Sequence, residues 1–327
     1  MSERAKFLVT GGLGFIGQSV VRNLLERGIP SVAADQSANT EAQARLRAVA
    51  SRAGATFDSV SMDVSDFRDV LAVFLKHPDI THAIHLAYVM GPLVDENTSL
   101  STRVNILGMT HMFEAAVQRR LSRLVFTSSE TVAGPSQHVY GERPVTEDDF
   151  CDPASHAFTY AVMKLLNEHM GRRYVERFGA NIACTRPPVV FGHGRKRSAV
   201  MWAEHFASKP AIGEPVTLPF SAQTRDTWIY KDDCAEQLVR LALKPKLAHF
   251  VYNSGGHCVT AAHIATIVRK WIPDAQITFR DGAGTPLIDD QDGRRLIREI
   301  DFAPRPLEDG VRAHINEARS AAGLPPV

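Results

Sequence analysis

The sequence has almost no net charge: 37 Lys and Arg stand against 36 Asp and Glu over 327 residues. No global field draws such a chain to nucleic acid or to an anionic membrane surface, and neither partner is expected. The one local basic run, Arg195-Lys196-Arg197, could meet an anionic substrate or could be a solvated loop. Cysteine is scarce as well. Cys151, Cys184, Cys234 and Cys258 include no C-x-x-C spacing, which argues against a metal knuckle or a redox pair, so no metal site is expected. Isolated cysteines fit reduced thiols in a cytoplasmic protein. No apolar run reaches membrane length, and the N-terminal residues lack the apolar stretch of a signal peptide, so cytoplasmic localisation is expected. Internal repeats and low-complexity segments are absent too. What is present is a 44% hydrophobic composition, enough for one large domain or two fused lobes.

The first half alternates short apolar runs with longer amphipathic ones. Strands are expected at Lys6–Thr10, Ser31–Asp35, Thr56–Ser61, Thr81–Ala87, Leu124–Ser128 and Ala180–Arg186. Helices are expected between them at Phe15–Arg27, Glu41–Arg52, Asp66–Lys76, Leu100–Arg120 and Ser155–Phe178. This rhythm implies an α/β fold, a doubly wound parallel sheet with helices on both faces. It breaks after Arg186, where Pro187, Pro188, Gly192 and Gly194 cluster and the elements become shorter. Helices are still expected at Lys231–Leu243, Ala261–Trp271 and Leu307–Ala322, and strands at Phe250–Asn253 and Gln276–Phe279. The division expected is a dinucleotide-type domain over 1–186 and a smaller, mainly substrate-binding α/β lobe over 187–327, some of whose elements return to the first core.

The turn from the first strand to the first helix reads Thr10-Gly11-Gly12-Leu13-Gly14-Phe15-Ile16-Gly17. Gly11 permits a tight turn, Gly14 lets backbone approach a pyrophosphate, and Gly17 lets the helix pack close to the strand. Phe15 and Ile16 open that helix, whose N–H groups and dipole suit phosphate. Asp35 ends the second strand, where a carboxylate accepts bonds from ribose hydroxyls and repels a 2′-phosphate. Gln36 and Ser37 follow, with no arginine to hold that phosphate, so NAD rather than NADP is the cofactor expected. Asp63, at the end of the third strand, could bond an adenine amino group or cap the helix beginning near Ser65–Asp66.

Tyr160 and Lys164 lie four apart near the start of a helical run, on one face. An ammonium there would lower the tyrosine pKa toward the working pH, as a base taking a proton from an alcohol requires. Together with the elements above, the sequence resembles the extended short-chain dehydrogenase/reductase family, its NAD-dependent epimerase/dehydratase group. The resemblance spans almost the full length. It rests on Thr10–Gly17, Asp35, Asp63-Val64, His85-Leu86-Ala87, Asn105 with Gly108, Phe126 to Ser129, Tyr160 to Lys164, Arg186-Pro187 with Phe191-Gly192, and Arg225-Asp226 through Asp233. It implies a Rossmann fold and an NAD-dependent epimerase or dehydrogenase. It implies Tyr160 as acid/base, Lys164 as the residue that lowers its pKa and holds the nicotinamide ribose, and Ser129 as the hydroxyl on the reacting oxygen. Asp63, Val64, Leu86 and Ala87 would line the cofactor channel, Asn105 would support the site, Pro187 and Val189 would lie near the nicotinamide, and Arg225 would contact substrate. Arg186 could equally pair with a carboxylate and Asn105 make an internal helix bond.

The chain departs from the family pattern at Ser129-Glu130-Thr131, where sugar-nucleotide dehydratases carry Thr-Asp-Glu. With Thr131 in place of a second carboxylate, elimination is disfavoured, and Glu130 and Thr131 are expected to face substrate. The segment from Gly192 to Arg225 is short for gripping a nucleoside diphosphate. The apolar loop Tyr88 to Pro92 suggests hydrophobic contact with substrate through Met90, or simply a packed loop. The expected activity is hydride transfer at a secondary alcohol of a carbohydrate-like substrate: a nucleotide sugar, sugar or sugar acid. The alternatives are a dehydrogenase of a small hydroxy acid and a non-catalytic NAD-sensing protein. A homodimer is expected, because Val104, Leu107, Met112, Phe113, Met163, Leu166 and Met170 lie on the helices used in relatives for a two-fold contact. The same residues could instead form the inner core face.

Overall fold

The computed structural model describes residues 5–156, 158–196, 198–282 and 286–327. The chain forms two compact units interleaved in sequence. The first comprises Met1–Ser128, Val162–Thr185 and Ala235–Tyr252, and the second Ser129–Ala161, Arg186–Cys234 and Asn253–Val327.

The first unit begins β1 (Phe7–Thr10), α1 (Phe15–Glu26), β2 (Ser31–Asp35), α2 (Thr40–Ala53), β3 (Phe57–Ser61), α3 (Phe67–Lys76), β4 (His82–His85). Short helices α4 (Leu93–Glu96) and α5 (Thr98–Thr102) follow, then a π-helical turn Arg103–Gly108, α6 (Met109–Gln118) and β5 (Arg123–Thr127). Local signals set these limits. Asn39 accepts from the Ala42 amide to start α2, and Gly54, at φ 64°, ends it. The chain then runs through α7 (Thr159–Phe178), β6 (Ile182–Arg186), β7 (Val189–Phe191), α8 (Trp202–Ala211), β8 (Val216–Leu218), β9 (Arg225–Tyr230) and α9 (Lys231–Leu243). It ends with β10 (Val251–Asn253), β11 (His257–Thr260), α10 (Ala261–Trp271), β12 (Ile277–Phe279), α11 (Arg294–Ile300) and α12 (Leu307–Ala321).

The main sheet has the order β10-β6-β5-β4-β1-β2-β3. From β6 to β3 each neighbouring pair is parallel, with registers such as Thr10 opposite Ala34 and His85. Strands buried on both faces read as continuous apolar runs, as Phe7-Leu8-Val9 does. The sheet order reverses beside β1, and such a switch point opens a crevice at the strands' carboxyl ends. The core of this unit packs Leu8, Phe74, Met112, Phe113 and Phe126. This is the doubly wound Rossmann arrangement expected from the βα rhythm.

The second unit has a three-stranded sheet, β11-β9-β7, and a parallel pair, β12-β8. Its own core gathers Phe191, Trp202, Phe206, Phe220 and Trp228. Strands β7, β8, β9 and β11 and helices α8 and α11 were not anticipated from the sequence. The expected helix Leu100–Arg120 is found as the continuous run Thr98–Gln118, in which the π-helical turn Arg103–Gly108 joins α5 to α6. Among the described residues no helix is long and apolar enough to cross a membrane.

Candidate active site

The glycine loop is built as its spacing requires. Gly11 takes φ +66°, and a Cβ there would lie 2.9 Å from the Ala87 amide nitrogen. A Cβ on Gly17 would lie 2.0 Å from the Gly11 carbonyl oxygen. No side chain caps the α1 N-terminus at Gly14. The Thr10 hydroxyl ties β1 to the end of β4: it accepts from the amides of Leu86 (3.2 Å) and Ala87 (3.3 Å) and lies 2.6 Å from His85 Nδ1. With both lone pairs so used, its proton goes to His85 Nδ1, which fixes the Nε2–H tautomer. Burial, with Lys164 adding repulsion, holds His85 neutral with a pKa down at about 3.

Asp35 turns toward the loop, its carboxylate accepting from Leu13 N at 3.3 Å and Ser37 N at 3.2 Å. Asp63 accepts from Ser65 N at 2.8 Å and Gln36 Nε2 at 3.2 Å. The α3 N-cap is Asp66, which accepts from Arg68 N at 2.9 Å. Val64 packs so closely on Gly108 that a Cβ there would come within 2.7 Å of its Cγ2.

Lys164 is buried in α7. Its ammonium donates to the Thr127 carbonyl at 2.6 Å and sits 3.5 Å from the centre of the Tyr88 ring. Burial brings its pKa down to about 7, with Cys184 and Glu168 pulling the other way. Asn105, fully buried in the π-helical turn, accepts from Val89 N at 2.7 Å and donates to Val89 O at 3.0 Å. Asn167 donates to the Asn105 carbonyl at 3.0 Å and to the Tyr88 hydroxyl at 3.3 Å. Asn167 had no signal in the sequence and Tyr88 only its place in an apolar loop, because both roles are defined by contacts between distant segments.

In the second unit Ser129 and Tyr160 are hydrogen-bonded. Tyr160 as a residue is half-buried. Burial of its hydroxyl pushes its pKa up to about 12, against the pull of Ser129 and of the Arg195 guanidinium. Ser129 Oγ also accepts from Thr131 N at 3.2 Å. Glu130 is buried, and burial plus the nearby Asp226 raise its pKa well above the carboxylate range. Burial, with Asp289 adding repulsion, raises Asp226 to about 7. The Glu130 amide donates to the Pro187 carbonyl, and Val189 pairs with Trp228 in the sheet.

The other substrate candidates are more dispersed. Met90 is exposed on its loop, and Arg225, exposed at the start of β9, donates to Cys258 Sγ at 3.1 Å. Of the basic run, Arg195 is directed inward to the Val190 carbonyl and Ser198, Lys196 is exposed, and Arg197 lies outside the described residues. Elsewhere in this unit Ser208 Oγ binds Glu204 (2.6 Å), His314 (2.8 Å) and His193 (3.1 Å), closing a polar cluster by hydrogen bonds. The cysteines form no disulfide.

The model of the NAD dependent epimerase/dehydratase family matches residues 7–255. The chain belongs to that family. NAD is accordingly its cofactor, as the loop and Asp35 led us to expect, and NAD-dependent epimerase or dehydrogenase its class, as the resemblance implied. The geometry fits the cofactor: the cradle leaves no room for a Cβ at Gly11 or Gly17, and the Asp35 carboxylate is bonded to its Leu13 amide. The chain is 25% identical to the mitochondrial L-threonine 3-dehydrogenase of Bos taurus, covering 85% of this chain and 71% of that one. It is 27% identical to a dTDP-4-dehydro-6-deoxy-D-allose reductase of a Streptomyces species, covering 93% of each. In fold it is similar to the NAD complex of the UDP-glucose 4-epimerase of Thermus thermophilus, at TM-score 0.76 and 23% identity over 97% of this chain and 99% of that one.

Proposed function

We propose that this family member moves a hydride between NAD and a secondary alcohol carbon of a carbohydrate-like substrate, with Tyr160 as acid/base. The observation that carries the reading is the Ser129–Tyr160 hydrogen bond, with Lys164 one helical turn on from Tyr160 in α7. Bound NAD supplies the hydride acceptor. Ser129 holds the substrate hydroxyl through a hydrogen bond, and Tyr160 takes its proton as the C–H bond breaks. Tyr160 at about 12 is a poor base in the free protein, so Ser129 and the charge of Arg195, which both pull it down, have to favour its phenolate during turnover. Gly11, Gly14, Phe15, Ile16 and Gly17 would hold the phosphates, Asp35 the adenosine ribose, and Asn105, Pro187 and Val189 the nicotinamide end. Burial favours the protonated form of Glu130, which can donate to a substrate oxygen, and with Thr131 in place of a second carboxylate elimination is disfavoured.

The similarity to the sugar-nucleotide reductase supports a nucleotide sugar or a related sugar. A second reading, oxidation of a small hydroxy acid with net NADH release, is supported by Arg195, whose cation acts on Tyr160 where a carboxylate would be attracted. The likeness to L-threonine 3-dehydrogenase agrees with it. NADH absorbance over a panel of polyols, aldonates, hydroxy acids and sugar nucleotides separates them. Stoichiometric NADH from a small acid supports the second reading. Isomerisation of a nucleotide sugar without net NADH supports an epimerase. The absence of turnover on every member, with Tyr160→Phe indistinguishable from wild type, would leave only NAD binding. A homodimer is part of the proposal, with Leu107 and Leu166 exposed on its helical face.

A further inference from the structure

We propose that Tyr88 is a positioning residue for Lys164: its ring face stabilises the buried ammonium and holds it at the Thr127 carbonyl. This rests on the reading that Lys164 serves the reaction. Lys164 is 2% exposed, and its ammonium lies 3.5 Å from the ring centre. An aromatic face attracts a cation through its quadrupole, most strongly where water is excluded, and has little hold on a neutral amine. Tyr88 therefore acts on one protonation state only.

The ring is held in place from two sides. Asn105 pins the neighbouring Val89 backbone by both its N–H and its carbonyl. Asn167 donates to the Tyr88 hydroxyl with one amide hydrogen and to the Asn105 carbonyl with the other. Both asparagines are fully buried. The π-helical turn Arg103–Gly108 explains why that carbonyl is available, since a widened turn breaks the regular helical ladder. Other groups acting on Lys164 are His85 at the end of β4, Cys184 on β6 and Glu168 one turn on in α7. His85 is neutral near pH 7, so Cys184 and Glu168 oppose the burial that brings the lysine to about 7, and the Tyr88 ring adds its hold on the cation. At that midpoint a modest change in the ring decides whether the lysine is charged.

The test is the Lys164 titration itself, read from the 13Cε resonance in lysine-labelled full-length protein and assigned by its loss in Lys164→Met. Tyr88→Phe keeps the ring and is expected to keep the midpoint. Tyr88→Leu and Tyr88→Met remove it while filling the space, and the midpoint is expected to fall by about one pKa unit or more. The pH dependence of NAD affinity, measured by calorimetry, should move the same way. An unchanged midpoint in the leucine and methionine variants would overturn the proposal, as would an equal fall in Tyr88→Phe. The titration needs no substrate, so it stands apart from the proposed reaction, which Tyr160→Phe tests.

Discussion

A Cβ on Gly17 would stand 2.0 Å from the Gly11 carbonyl oxygen and 2.8 Å from Gly12 Cα, so the loop and the first turn of α1 fit together only without a side chain. Both obstacles are backbone and cannot swing away. Gly17→Ala is therefore expected to displace the loop, at a cost of about 1–3 kcal/mol. The melting temperature should fall by several degrees and NAD affinity by tenfold or more, read by thermal melts and calorimetry. A variant binding NAD as tightly as wild type would show that the loop does not carry the phosphates.

Asp35 bonds the loop through Leu13 N, and in the proposed function it holds the adenosine ribose. Asp35→Ser removes the charge that excludes a 2′-phosphate. NAD affinity should drop about tenfold or more, the loss of a charged hydrogen bond, while NADP affinity holds or rises. The ratio of the two dissociation constants is the readout, and an unchanged ratio would remove Asp35 from cofactor selection.

Tyr160→Phe deletes the hydroxyl that bonds Ser129 and leaves the ring. Turnover should fall about 10²–10⁴-fold, the usual worth of a positioned acid/base, with NAD affinity nearly unchanged. Because burial raises this hydroxyl, alcohol oxidation in the wild type should climb with pH on the acidic side, as more tyrosine reaches the phenolate form. Steady-state rates from pH 6 to pH 10 check both expectations. A flat profile would point to another base.

These three positions were legible in the sequence because each rests on local spacing: glycines at 11, 14 and 17, an aspartate at a strand end, and a tyrosine four before a lysine. The helix expected at Leu100–Arg120 was legible too, as the run Thr98–Gln118, but the widened turn inside it was not. Hydrophobic periodicity does not register a single widened turn, and the π-helical turn at Arg103–Gly108 is what places Asn105. Strands β7 and β8 have three residues each and lie among prolines and glycines, too short to show a period. The lysine–Tyr88 contact and the Glu130–Asp226 coupling join residues far apart in sequence, so nothing local announces them.

Asp226 also makes a prediction about stability. Burial, with Asp289 as a like charge, lifts its pKa from 3.8 to about 7 in the folded protein. The folded state thus binds more protons than the unfolded state between those values. For a group of this kind stability declines as pH rises from about 4 through about 7 and does not recover above it. Asp226→Asn keeps the shape and removes the charge, and should be the more stable protein at pH 8 by a few kcal/mol. The advantage should shrink as pH falls through 4 and vanish below about pH 3, where the wild-type carboxyl is protonated in both states. Paired thermal melts across that range check it, and a constant offset at every pH would mean that ionisation of Asp226 is not the cause.

Leu166 and Leu107 are 43% and 44% exposed, whereas Met112, Phe113 and Met163 of the same candidate set are buried in the first unit. The helices thus split their apolar residues between a core face and an outer one, and only the outer residues can meet a second copy. Leu166→Glu places a charge on that face without touching the core. If the chain is a homodimer through these helices, the variant should sediment as a monomer at micromolar concentration while its melting curve stays cooperative. Wild type and variant with the same dimer mass would place the interface elsewhere, and a monomeric wild type would end the dimer proposal.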